Sequence, residues 1–252
     1  MKIQLIRNST LRIRYNGHVL LLDPFLAPAG ALPPFAGIQT NPTVELPMSP
    51  EAVIADTELI MLTHLHPDHF DDEAAQLLPK FLPVLCAPID QPAIENKGFN
   101  NTTTLTDSFE WNNIHFEPTP AEHGTGEWLQ KMGHVIGFYL KAPNRPSLYI
   151  ASDTVWYPAV EAFITEKQPD VIIANSGGAH FPDAPPIIMD IEQTIALCKA
   201  APESKIVATH LESLDHCPVT RHGLRAAATE AGISESQLFI PEDGEILDFS
   251  PQ

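Results

Sequence analysis

Basic residues are scarce in this chain. Lys and Arg number 14 against 32 Asp and Glu, a formal net charge of −18. Such a chain repels nucleic-acid phosphates on average, and so few cations are hard to gather into a patch. Nucleic acid is therefore not an expected partner. Cysteine is sparse too. Cys86, Cys198 and Cys217 are odd in number, far apart and without CxxC spacing. That argues against a disulfide framework and for a reducing compartment. The start, Met1-Lys2-Ile3-Gln4-Leu5-Ile6-Arg7, has no apolar signal core or small-residue cleavage site. No apolar run approaches membrane-spanning length. The expectation is a cytoplasmic protein with no membrane span. A phosphate-cradling GxxxxGK(S/T) loop is missing, and so is the Gly-x-Ser-x-Gly of serine hydrolases.

What is present is a core-forming composition. Hydrophobic residues make up 44% of 252 residues, enough for one large α/β domain or two small ones. Alternating apolar residues predict three short strands around Ile3–Leu5, Leu11–Tyr15 and Val19–Leu22, with a tight turn at Asn16-Gly17. Residues 26–50 hold six prolines and read as an irregular loop, either a lid or binding loop or an inert surface excursion. Acids at Asp71-Asp72-Glu73 before Ala74–Leu78 mark a helix start. A short strand at Val84–Ala87 and a helix near Pro92–Lys97 follow. Residues 102–150 read mostly as strand: Thr103–Leu105, Ile114–Glu117, Val135–Leu140 and Leu148–Ile150. Helices over 158–167, 190–200 and 220–231 then alternate with strands at Val171–Ala174 and Ile206–Ala208. Leu238–Ile240 and Ile246–Leu247 close the chain. Strands, then β/α, then strands, then β/α suggests two similar halves packed sheet to sheet with helices outside.

The chemistry concentrates in Thr63-His64-Leu65-His66-Pro67-Asp68-His69, directly after the apolar run Leu59–Leu62. Three imidazoles and a carboxylate at a strand end suit zinc, manganese or iron. Further donors belong at other strand ends, because strands place loop residues accurately. His123 follows one strand, Asp153 another and His210 a third. Taken singly each has a bland alternative: either histidine could cap a carbonyl, and Asp153 between Ser152 and Thr154 could start a helix. His115 competes with His123 but lies mid-strand.

HxHxDH after an apolar strand, then a downstream His, a Ser-Asp-Thr and a final strand-end His, together resemble the metallo-β-lactamase superfamily over nearly the whole chain. Leu22-Asp23-Pro24-Phe25, the compact single domain over 1–252 and the motif spacing resemble its branch of L-ascorbate-6-phosphate lactonases and N-acyl phospholipid phosphodiesterases. The resemblance implies an αβ/βα four-layer sandwich of two mixed β-sheets with outer helices. It implies one metal on His64, His66 and His123, a second on Asp68, His69 and His210, and Asp153 bridging both. Two divalent ions, zinc with manganese or iron as alternatives, would share a hydroxide that attacks a small ester, lactone, amide or phosphodiester. Asp68 would orient that nucleophile or shuttle its proton.

Other residues are weaker candidates. Asp23 could fix an imidazole tautomer from outside the metal shell or simply start a turn. His180, after Asn175-Ser176-Gly177-Gly178-Ala179, could donate to an oxyanion or be an ordinary loop histidine. The two glycines allow a close backbone approach to a ligand. Trp156 and Tyr157 could wall the pocket or pack in the core. Glu212, His216 and Arg221 could shape the pocket, Arg221 by meeting an anionic substrate or by forming a surface ion pair. The competing functions are a nuclease of the same superfamily, disfavoured by the acidity, and a non-catalytic metal-binding protein. The substrate itself has no sequence signature, and a homo-oligomer is left open.

Overall fold

The computed structural model describes residues 1–249. The first half of the chain contains β1 (Lys2–Arg7), β2 (Thr10–Tyr15), β3 (His18–Leu22), α1 (Pro50–Ile54), β4 (Leu59–Met61), α2 (Asp72–Leu77), β5 (Val84–Cys86), α3 (Gln91–Asn96) and β6 (Thr102–Thr104). The second contains β7 (Phe109–Trp111), β8 (Ile114–Thr119), α4 (Glu127–Met132), β9 (Gly137–Lys141), β10 (Leu148–Ile150), α5 (Pro158–Lys167), β11 (Val171–Asn175), α6 (Ile191–Ala200), β12 (Lys205–Thr209), α7 (Arg221–Glu230), β13 (Leu238–Phe239) and β14 (Ile246–Asp248).

Among the described residues the strands form two seven-stranded mixed sheets, ordered β14-β1-β2-β3-β4-β5-β6 and β13-β12-β11-β10-β9-β8-β7. The hairpin between β2 and β3 pairs Tyr15 with His18 across Asn16 and Gly17, whose φ values of 50° and 90° suit a tight two-residue turn. The central strands β3, β4 and β5 run parallel in one sheet, as do β10, β11 and β12 in the other.

Strand periodicity builds the layers, since successive side chains point to opposite faces. Leu59 and Met61 of β4, and Val171 and Ile173 of β11, enter the core between the sheets. Ile60 instead meets Ala74, Leu78 and Ile94 under α2 and α3. Ile172 and Ala174 meet Val160, Leu197 and Leu224 under α5, α6 and α7. The four-layer αβ/βα sandwich is thus as the resemblance implied.

The differences from the sequence reading are local. The five- and six-residue helices α1 and α4 and the three-residue β7 are too short to show a periodic pattern. The strand expected from Val135 starts at Gly137, because the Ile136 N–H leaves the ladder to bond the Thr63 carbonyl at 3.1 Å. The 26–50 segment is irregular, as expected, yet firmly tied down. The buried Arg7 guanidinium donates to the carbonyls of Phe25, Ala27 and Val44 at 3.1, 2.8 and 3.0 Å. Asp71, besides capping α2, accepts from the Leu26 and Ala27 amides.

A candidate metal centre at the edge of the two sheets

The donors sit just beyond the C-terminal ends of β4, β8, β10 and β12. Strand β8 is antiparallel to β9, and β9 to β10, so β8 and β10 point to the same edge. Open α/β sheets hold their ligands at this end of the strands. The seven residues expected there all converge. The ligand atoms of His64, His66 and His123 lie within 4.8 Å of one another, as do those of His64, His69 and Asp153, and those of Asp68, His69 and His210.

Asp153 is the hub. Its Oδ2 is 3.2 Å from His69 Nε2, 3.3 Å from His123 Nε2 and 3.8 Å from His64 Nε2, and its Oδ1 is 3.9 Å from His210 Nε2. Asp68 Oδ2 lies 3.2 Å from His210 Nε2 and 3.9 Å from His69 Nε2. His66 presents Nδ1 at 3.0 Å from His64 Nε2. Yet the buried Nε2 atoms of His69 and His210, though 3.2 Å from a carboxylate oxygen, make no well-aligned hydrogen bond. Buried nitrogens left so in native proteins call for an explanation. A tetrahedral ion with ligand bonds of about 2.0–2.1 Å holds neighbouring donors roughly 3.3 Å apart. The spacing and the poorly aligned nitrogens therefore fit cations in the middle, and this donor set suits a divalent ion.

Outer contacts aim each ring. Thr63 Oγ1 donates to Asp23 Oδ2 at 2.7 Å, so it accepts from His64 Nδ1 at 2.9 Å and leaves the His64 Nε2 lone pair facing inward. His69 Nδ1 donates to Asp23 Oδ2 at 2.9 Å, and His123 Nδ1 to the Ile187 carbonyl at 2.8 Å, each with the same result. Cys217 Sγ stands 3.4 Å from His210 Nδ1. Asn175, which the sequence reading passed over, donates to Asp153 Oδ1 at 2.5 Å and accepts from Thr209 at 2.7 Å. Asp23, Ser152 and His210 hold left-handed backbone at φ 42°, 63° and 63°. Such strain in non-glycine residues gathers at functional sites, at roughly 1–3 kcal/mol each.

The charges divide in two. Burial and the neighbouring His69 charge push His64 well below its ordinary value, and burial lowers His123. Both are neutral donors. Burial works against the charge on His69 too, but Asp153 and Asp23 overcome it and raise its pKa to about 10. His210 is likewise raised despite burial, by Cys217, Asp153 and Asp68. Burial pushes Asp68 and Asp153 up, whereas the surrounding imidazoles hold both below the usual carboxylate range. Protons on His69 and His210 thus balance the carboxylates where cations would otherwise do so.

Above the donors opens a cavity of about 150 Å³ lined by Phe35, Met132, Phe181, Ile187 and His216, with His66, Pro67, Asp68, His123 and Asp153 at its base. Trp128 stacks behind Phe181, their ring centroids 5.0 Å apart. No Lys or Arg lines it.

Several sequence candidates find other places. His180 is not in the cavity lining; its Nδ1 is 3.0 Å from the Phe181 carbonyl, and its loop delivers Phe181 while the loop after β12 delivers His216. Trp156 and Tyr157 pack beneath the outer helices. Arg221 is committed to Glu212 at 2.6 Å, Asp243 at 2.5 Å and the Pro241 carbonyl at 2.8 Å. Gly177 does permit a close approach, but to backbone: a Cβ there would lie 2.0 Å from the His210 carbonyl. His115 on β8 pairs with Glu110 of β7 and with Glu117 of its own strand.

Residues 18–211 match the family model of the beta-lactamase superfamily domain. The chain belongs to the metallo-β-lactamase superfamily. Within it, the chain is 36% identical over 255 residues to the UPF0173 protein YddR of Bacillus subtilis, covering 99% of this chain and 100% of that one. This metallo-β-lactamase-fold chain also superimposes on the crystal structure of isothiocyanate hydrolase from Delia radicum gut bacteria, with a TM-score of 0.95, 34% identity and all of both chains covered. A possible metal-dependent hydrolase from Veillonella parvula gives a TM-score of 0.94 at 32% identity, with 98% of each chain covered.

Proposed function

We propose that this protein is a dinuclear metal-dependent hydrolase of small neutral electrophiles that carry an apolar group, an isothiocyanate being the substrate class that fits best. One observation carries the reading: seven donors converge, and four of them, His66, Asp68, His123 and Asp153, form the base of a small apolar cavity without a Lys or Arg in its lining. His64, His66 and His123 would hold one ion, Asp68, His69 and His210 the other, and Asp153 both. Zinc suits this set, and manganese or iron are alternatives decided by availability. Bound there, divalent ions lower the pKa of water toward about 7 and polarise the electrophile.

The residues around that chemistry divide the work. Asp68 lines the cavity and takes the proton of the attacking water. Phe35, Phe181, Met132 and Ile187 exclude bulk water and hold the apolar group; about 150 Å³ is the size that holds one benzene ring. His216 is the lining imidazole outside the seven donors, and it would donate a proton to the departing nitrogen, whereas the sequence offered His180 as a donor to an oxyanion. For an isothiocyanate the balance is R–N=C=S plus water to R–NH2 plus carbonyl sulfide. The same substrate class stands in the name of the full-length structural neighbour described above.

Beyond ions held at its base the lining offers no Lys or Arg to further negative charge, which disfavours both the sugar-phosphate lactone and the nuclease readings. The expected result is a kcat/KM for benzyl isothiocyanate at least about a hundredfold above that for bis(4-nitrophenyl) phosphate, measured as amine and nitrophenolate release. Equal or better phosphodiester turnover would sink the neutral-substrate reading.

Asp23 supplies a smaller, separate test. Asp23→Asn keeps the shape but places an NH2 or a weaker acceptor against Thr63 N, Thr63 Oγ1 and His69 Nδ1, now 2.8, 2.7 and 2.9 Å from the carboxylate. Metal affinity should fall about 10- to 100-fold in a competitive chelator titration, with the ligands themselves intact. Unchanged affinity would remove Asp23 from the centre.

A further inference from the structure

The neighbouring relation between the proline-rich strap at 26–50 and the loop carrying His216 points to one residue. Asp215 directs its carboxylate into the strap. Its Oδ1 accepts from the Phe35 and Ala36 amides at 2.9 and 3.2 Å and from Asn41 Nδ2 at 2.9 Å. Its Oδ2 accepts from the amides of Ala36, Ile38 and Gln39 at 3.1, 3.0 and 3.4 Å. Asn41, fully buried, returns the contact by accepting from the Asp215 amide at 2.8 Å. One carboxylate thus gathers four consecutive-turn amides and a side-chain amide, most of the polar groups that a bare loop tip would leave to water.

The geometry does more than tie a loop down. Residue 216 follows directly, and its imidazole meets the Phe35 ring edge-to-face with centroids 5.1 Å apart. Phe35 and His216 both line the cavity over the metal donors. The strap tip beyond them faces solvent, with Ile38 75% exposed. The Phe35 ring packs inward against the apolar cluster of Phe25, Ala179, Ile187 and Leu214, while the hydrogen bonds to Asp215 fix the backbone that carries it.

We propose that Asp215 is a positioning residue: it clamps the 35–41 turn so that Phe35 roofs the cavity, and the clamped turn sets the preference for ligands with an apolar group. The inference rests on the cavity being the substrate site but not on the substrate being an isothiocyanate. Its carboxyl, which burial pushes up and the Asn41 and amide contacts pull down to about 2, is ionised at any working pH.

The test uses two metal-chelating probes on the metal-loaded protein, phenylacetohydroxamate and acetohydroxamate, which share a head and differ by the phenyl group. The wild type should bind the phenyl probe more tightly, and Asp215→Asn should cut that ratio about tenfold. Phe35→Ala, which leaves every backbone contact of Asp215 in place, should cut it by a similar factor. In Asp215→Asn the amides of residues 35–39 should exchange hydrogen faster, with metal content unchanged. An unchanged probe ratio in either variant overturns the proposal, as does unchanged amide exchange. A loss of both probes together with metal would assign Asp215 to folding alone and overturn it too. Probe binding as expected, without isothiocyanate turnover by the wild type, retains the clamp and discards only the substrate assignment.

Discussion

Asp153→Ala should lose metal down to less than half of the wild-type content and lower turnover by on the order of a thousandfold, with the fold retained. The expectation follows from the position of Asp153 Oδ2, between 3.2 and 3.8 Å from three different imidazoles. Among the described residues no other carboxylate lies within 4 Å of imidazoles of both groups of donors. The strand that carries it need not suffer, since Leu148, Tyr149 and Ile150 are buried on their own account. Elemental analysis of gently purified protein, alongside circular dichroism, reads both quantities. A variant with full metal and full activity would mean that the seven donors do not form one centre.

Metal removal should destabilise the protein, and more so as pH rises. In the metal-free protein burial disfavours the His69 cation, but Asp153 and Asp23 raise its pKa to about 10, against about 6.5 unfolded. That proton stabilises the metal-free fold fully below about pH 6.5, and its contribution is lost as pH climbs through 10. Metal binding requires the same nitrogen deprotonated, so affinity increases over the same interval. With free metal near a thousand times its Kd, binding contributes about 4 kcal/mol. For a chain of this size that is roughly 8–16 °C of Tm. Thermal melts with and without chelator should differ by that much near pH 9 and by clearly less near pH 6. A constant or inverted difference would contradict the protonation scheme.

The two experiments probe what the sequence made visible. Four donors within six residues, after a run as apolar as Leu59–Leu62, announce a site on their own. His123, Asp153 and His210 are legible because strands that read well place their ends predictably. The layers follow for the same reason, since period-two alternation in β4 and β11 already sorts residues between inner and outer cores. The cavity wall is another matter. Phe35, the Phe181–Ile187 loop and His216 are irregular and Met132 ends α4, and only the tertiary path brings them together. The path also decides between His180 and His216. Gly177 packs against the His210 carbonyl, and the backbone of residue 180 bonds to that of 216, so that one imidazole turns away as the other enters. Asp215 carries no periodic signal at all, because an aspartate that gathers loop amides looks in sequence like any polar residue.

One feature of the layout reaches beyond the chemistry. His64, His66, Asp68 and His69 ride on the first sheet, whereas His123, Asp153 and His210 ride on the second. Neither half owns a complete set of donors for either group. An ion seated there acts as a rivet through two plates: it reports that the halves have docked in register and resists their being pulled apart. Loading of the Asp68, His69 and His210 group is then a late event in the life of the nascent chain, possible only after the last donor, His210, has been made and its strand added. Until then, the carboxylates of the centre are balanced by protons alone.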